Sequence, residues 1–123
     1  MCFYALITNN DDHPRNHAVL AKDKDWRLSP AYDLTPLSSV SLERRDLALI
    51  CGDAGRYANA RNLLSQSPRF LLPEAEAAKI VYDMRDRVKA SWYEVARKAG
   101  VSEKDCVVIA GSFAYPGFDL AEA

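Results

Sequence analysis

Apolar residues recur at three- and four-residue steps from Ala77 through Val81, Met84, Val88, Trp92 and Val95 to Ala99, and that period predicts one long helix over 73–99. Pro73 suits a first-turn position, Glu74 and Glu76 suit the positive end of the helix, and Gly100 is a C-terminal stop. Tyr57, Ala60, Leu63 and Leu64 predict a shorter helix over 56–65, ended by Pro68. Ser102 and Glu103 open a last helix to about Ser112, packed by Val107, Val108 and Ile109. The opening run M-C-F-Y-A-L-I is apolar and has no Ser, Thr, Asp or Asn ahead of it, so the chain reads as beginning inside a helix.

The period changes between these helices. H-A-V-L-A at 17–21 and W-R-L-S at 26–29 are short apolar runs around the polar K-D-K-D, a pattern that predicts a β-hairpin. Trp26 reads as a core or hairpin-edge anchor rather than a substrate platform, and His17 as solvent-facing or strand-capping, with no second His or Cys at ligand spacing. Two prolines and several serines make 30–40 irregular. Residues 42–50 suit a short strand or one helical turn, and Gly52 and Gly55 a turn. The tail over 114–123 is expected to be poorly ordered. The predicted fold is mainly α with a short N-terminal β-hairpin.

Composition narrows the function little. The chain has 123 residues, 49% hydrophobic and 27% charged, with a net charge of −1, which suits at most one small soluble domain and gives no general attraction to nucleic acid or membrane. It has no apolar stretch of about 18 residues. Its three cysteines, at 2, 51 and 106, are odd in number and widely spaced. They form neither a disulfide framework nor a zinc pattern and read as core residues in a reducing cytoplasm.

Candidate chemistry concentrates in 9–33. Asn16 follows Asp11 by five residues, and Asp33 lies 17 residues beyond Asn16. A protein-kinase site needs a catalytic Asp, an Asn five residues later that holds a metal, and a downstream Asp that holds metal on the phosphates. By itself D-D-H is an ordinary polar turn. A calcium loop is excluded by the lack of alternating oxygen ligands, a central Gly and a terminal Glu.

The surrounding residues are more telling. D-D-H-P-R-N at 11–16, followed by S-P-A-Y-D at 29–33, resembles the HipA family of bacterial toxin kinases, whose members carry a D-x-H-x-x-N loop and then a strand ending in S/T-P-x-Y-D. L-A-L-I-C-G-D-A-G-R at 47–56, with N-L-L at 62–64, is similar to the segment that follows in that family. The resemblance covers the C-terminal part of the family's sequence and implies a fold like its helical C-lobe. It implies a catalytic set of Asp11, His13 and Arg15, with Asp11 as base and the other two supporting the loop. Asn16 and Asp33 would be the Mg²⁺ ligands. The implied activity is Mg²⁺- and ATP-dependent phosphorylation of Ser or Thr on a protein substrate in the cytoplasm. The implied partners are a DNA-binding antitoxin or a separate N-lobe chain.

These residues contain no G-x-G-x-x-G and no V-A-I-K-like strand, and Lys22, Lys24 and Lys79 lie in a turn or on a polar helix face. The chain therefore reads as a single partial domain without the ATP-binding N-lobe: a truncation, a split-kinase subunit, or a non-enzymatic remnant that binds protein. Apolar surface on the first helix leaves homodimerisation open. Ser38, Ser39 and Ser41 fall where kinases have an activation loop, although serines are common in any loop. A helix-turn-helix over 96–109 is the reading from another class. It fails because Glu103 and Asp105 stand where a DNA reader needs donors.

Overall fold

The computed structural model describes residues 1–37 and 43–119. Helices dominate: α1 (Cys2–Ile7), α2 (Ala60–Ser65), α3 (Glu74–Lys98) and α4 (Glu103–Ile109). Strands β1 (Val19–Lys22) and β2 (Asp25–Leu28) form one antiparallel hairpin. Short 3₁₀ turns occupy Pro14–Asn16, Ser67–Phe70, Ala110–Ser112 and Pro116–Phe118. The fold is thus mainly α with an N-terminal hairpin. None of the described helices is long and apolar enough to cross a membrane.

The stripe on α3 faces the core in its first two-thirds: Ala77, Val81 and Val88 are buried, and Met84 packs against them. Val95 and Ala99 are exposed, so the apolar period outruns the surface it has to cover. Gly100 ends the helix at φ +94, a conformation that suits a residue without a side chain. α2 begins at Ala60 rather than at Arg56, because Asn59 caps it by accepting the Asn62 N–H at 2.8 Å. Residues 43–50 form no helix. Leu47 N–H donates to Arg56 O and Ala58 N–H to Arg45 O, both at 2.8 Å, which pairs this segment with 56–58. Leu42, Ser38, Ser39 and Ser41 lie outside the described residues.

Three expectations are corrected. Trp26 is 67% exposed, so of its two expected roles the core anchor fails and its place is in the hairpin, paired with Ala21; Val19, Leu20 and Leu28 of the same hairpin are exposed too. On α4 the buried residue is Cys106, while Val107 and Val108 are 79% and 65% exposed. The tail is the largest correction. Ala114, Tyr115 and Phe118 are buried in the central core with Tyr4, Leu6, Leu47 and Leu63. Pro116 and Gly117 look like loosening residues, but the aromatics around them supply the burial. Phe113 stacks on Trp92 with centroids 4.8 Å apart, and the Tyr115 hydroxyl donates to Ala58 O at 2.5 Å. Gly117 lies so close to Glu43 that a Cβ there would fall 1.9 Å from its carbonyl oxygen. The tail positions 120–123 lie outside the described residues.

The cysteines are free; Cys51 and Cys106 are buried and Cys2 is half-buried. Burial pushes the Cys2 thiol up to about 11 and also raises Cys51, so neither is a ready thiolate.

Asp119 closes the described chain against α3, accepting from Arg85 at 2.8 Å and Lys89 at 3.1 Å. Burial pushes its carboxyl upward, but the bonds and charge of Arg85 and Lys89 outweigh that and hold it below its ordinary value. A depressed carboxylate stabilises the fold above its unfolded pKa, and that stability is lost as pH falls through the folded pKa. Asp119→Asn is therefore expected to lower stability at about pH 7, and by a smaller margin at about pH 3, below the unfolded pKa. Urea unfolding at the two pH values is the check. A difference undiminished in acid would assign the contribution to packing.

Candidate active site

The loop that follows α1 starts from an unusual residue. Thr8 is left-handed (φ 59, ψ 42), and Asn9 N–H donates back to Tyr4 O at 2.9 Å, closing the helix in the Schellman manner. A β-branched residue seldom adopts this conformation. Thr8 is also buried and bonded on several sides. Its hydroxyl donates to Ser112 O at 2.6 Å and accepts from Arg45 Nη1 at 2.5 Å, and its carbonyl accepts from Leu37 N–H at 3.0 Å.

Pro14 then starts a 3₁₀ turn that folds Asn16 back on His13. Asn16 N–H donates to His13 O, and His13 N–H donates to Asn16 Oδ1, both at 2.9 Å. The reciprocal pair fixes the Asn16 side chain before any longer-range contact is made. The hairpin brings the second half of the site to it. Val19 pairs with Leu28 and Lys22 with Asp25, so the turn is only Asp23–Lys24, with Asp23 at φ 57. Ser29 N–H donates to Ala18 O at 2.8 Å, carrying the two chains together past the ladder.

The ends of the hairpin then meet. Asn16 Nδ2 donates to Asp33 Oδ2 at 3.1 Å, and the Tyr32 hydroxyl donates to Arg15 O at 2.8 Å. Asp33 itself is left-handed, at φ 55, a conformation Asp tolerates better than most residues. Asp11 joins through His13, whose Nε2 lies 2.6 Å from Asp11 Oδ1. Its carboxylate is otherwise open, with the side chain 80% exposed. His17 bonds to the neighbouring Asp12 at 2.7 Å and packs its ring against Tyr4 at 6.0 Å, so it braces the loop. Arg15 supports the loop through its carbonyl, while its side chain is exposed.

The structure therefore brings Asn16 and Asp33 into contact and links Asp11 to them through His13. An open cavity of about 240 Å³ lies beside Asn16, lined by Tyr4, His17, Leu28 and Ser29. Asn16 and Asp33 offer hard oxygen donors of the kind Mg²⁺ takes, and no group of three His, Cys, Asp or Glu suited to a metal occurs among the described residues. Two oxygen side chains suit an ion that keeps waters and takes phosphate oxygens, and do not make a closed protein cage. Sequence reasoning missed Thr8, Arg45, Ser112 and the Tyr32 hydroxyl. Only Tyr32 carried a signal, as the residue before Asp33 in S-P-A-Y-D.

A family model described as the HipA-like C-terminal domain matches residues 1–92. Comparison with curated proteins and with solved structures gave no match.

Proposed function

The chain belongs to the HipA-like C-terminal domain family, and from that premise we propose that it is the catalytic-loop half of a serine/threonine protein kinase. The observation that carries this reading is the Asn16–Asp33 contact at 3.1 Å, made across 17 residues and linked to Asp11 through His13. A family known for kinase toxins needs those three side chains at one edge.

In this reading Asp11 accepts the proton of the incoming Ser or Thr hydroxyl. His13 Nε2–H donates to Asp11 Oδ1 and leaves Oδ2 for the substrate. Asn16 and Asp33 hold Mg²⁺, which supplies charge neutralisation on the ATP phosphates when bound. The 3₁₀ turn and the Tyr32–Arg15 bond keep the two ligand residues at their separation before nucleotide arrives. That pre-organisation is what phosphoryl transfer demands, since its catalysis is almost entirely positioning and electrostatic stabilisation.

Half of such a site is not half an enzyme. Residues 1–123 alone are expected to show no kinase activity and no tight Mg²⁺-ATP binding, while joining a family N-lobe, in cis or as a second chain, restores both. Calorimetry and transfer of labelled phosphate to a protein acceptor make the test. Micromolar Mg²⁺-ATP binding by this chain alone would reveal a different nucleotide site, and an assembled protein that binds ATP without transferring it would overturn the kinase reading. A split-kinase subunit that docks another chain is the second reading, favoured by the exposed Val19, Leu20, Trp26 and Leu28 on the hairpin.

A further inference from the structure

The hydrogen bonds around Thr8 close into a ring. Thr8 Oγ1 donates to Ser112 O at 2.6 Å, Ser112 Oγ donates to Leu37 O at 2.7 Å, and Leu37 N–H donates to Thr8 O at 3.0 Å. Thr8 is three residues before Asp11, and Leu37 is four residues after Asp33. The ring therefore ties the feet of the two segments whose side chains meet at Asn16 and Asp33. Its third member, Ser112, belongs to the C-terminal segment, beyond residue 92 where the family match ends.

That segment holds the same place in other ways. Ala114 N–H donates to Leu6 O at 2.7 Å, capping one of the last carbonyls of α1. Arg45 reaches Thr8 Oγ1 at 2.5 Å while its guanidinium lies 4.6 Å from the centre of the Tyr115 ring. Burial lowers the pKa of Arg45, yet a guanidinium stays charged, and the Thr8 hydroxyl and an aromatic face are among the groups it meets. Thr8 keeps a left-handed backbone that β-branching disfavours, and such outliers persist where the surroundings over-determine them. An unbranched Ser would meet the backbone better; what Thr8 and Ser share is the hydroxyl.

We propose that Thr8 and Ser112 are positioning residues, through which the C-terminal segment 112–118 sets the separation of the Asp11–Asn16 loop from the Asp33 segment. The catalytic consequence rests on the kinase reading; the positional one does not. Neither residue reaches the candidate ligands directly, so each acts through the backbone.

Native-state hydrogen exchange of the 123-residue chain tests this at the amides of His13, Asn16 and Leu37. Thr8→Val keeps the side-chain shape but leaves Arg45 and Ser112 O without the hydroxyl. It should speed exchange at those three amides about tenfold relative to the amides of α3. Thr8→Ser should return them to wild-type rates. Ser112→Ala, which removes only the bond to Leu37 O, should give the same pattern in weaker form and serves if Thr8→Val does not fold. Asp119→Asn loosens the end of the same C-terminal stretch from Arg85 and Lys89 without touching the ring, and should leave the three amides unmoved. Unchanged rates at His13 and Asn16 in the Thr8 and Ser112 variants would overturn the proposal, and so would the same pattern in Asp119→Asn. Line broadening by added Mn²⁺ reports separately on Asn16 and Asp33. If wild type shows none, the metal role fails while the exchange result still decides the positioning.

Discussion

Asp11→Asn in the assembled kinase is expected to cut phosphoryl transfer by about a hundredfold to ten-thousandfold, the range a positioned general base contributes. The replacement is close to isosteric. The amide keeps an oxygen for His13 Nε2, now 2.6 Å from Asp11 Oδ1, so the loop should hold its shape. What is lost is the carboxylate that takes the hydroxyl proton. Mg²⁺-ATP affinity should change little, because Asp11 is not one of the proposed metal ligands. Asp33→Asn should behave differently, reducing transfer and weakening Mg²⁺-nucleotide binding together, since it removes a charged ligand while an amide oxygen can still accept from Asn16 Nδ2. Turnover and calorimetry on both variants separate the roles. If Asp11→Asn weakens nucleotide binding and leaves turnover per bound ATP intact, the two assignments are reversed.

Phe118→Ala is expected to cost about 3–5 kcal/mol of stability, the usual range for deleting a buried aromatic side chain. Phe118 is 0% exposed and belongs to the same cluster as Leu6, Leu47 and Tyr115. A domain of this size holds about 5–15 kcal/mol in total, so the loss would take a large share of it. Val107→Ala makes the contrast: Val107 is 79% exposed, and its truncation should stay within about 0.5 kcal/mol. Urea midpoints compare the two directly. A Phe118 variant as stable as the Val107 variant would mean that the C-terminal segment is not part of the working core. Because that segment also carries Ser112, Phe118→Ala should loosen the candidate site as it destabilises the fold.

Much of this arrangement was legible because it is local. The hairpin came from two short apolar runs around K-D-K-D, and the observed turn tightens to Asp23–Lys24 because Lys22 and Asp25 still pair. The long helix came from its period and its stop at Gly100, both properties of neighbouring residues. The meeting of Asn16 and Asp33 was also legible, since a hairpin between two positions brings them together by geometry alone.

Where apolar residues had to choose a partner, the sequence was silent. Val107 and Val108 look as buriable as Cys106. Which face of α4 turns inward depends on how that helix crosses its neighbours, and the period of so short a helix does not specify it. Phe113, Tyr115 and Phe118 sit among Pro116 and Gly117, which locally favour an open chain; what they cover, including α1, Trp92 and Ala58, lies far away in sequence. Thr8, Arg45 and Ser112 carry no motif at all. The sequence by itself determined the helices, the hairpin and the meeting of Asn16 and Asp33, because these follow from bonds and periods within a few residues or from one turn. The tertiary structure decided which aromatics fill the core and what braces the site. Burial and the pairing of buried polar groups depend on contacts between segments as far apart as Thr8 and Ser112, which no local pattern encodes.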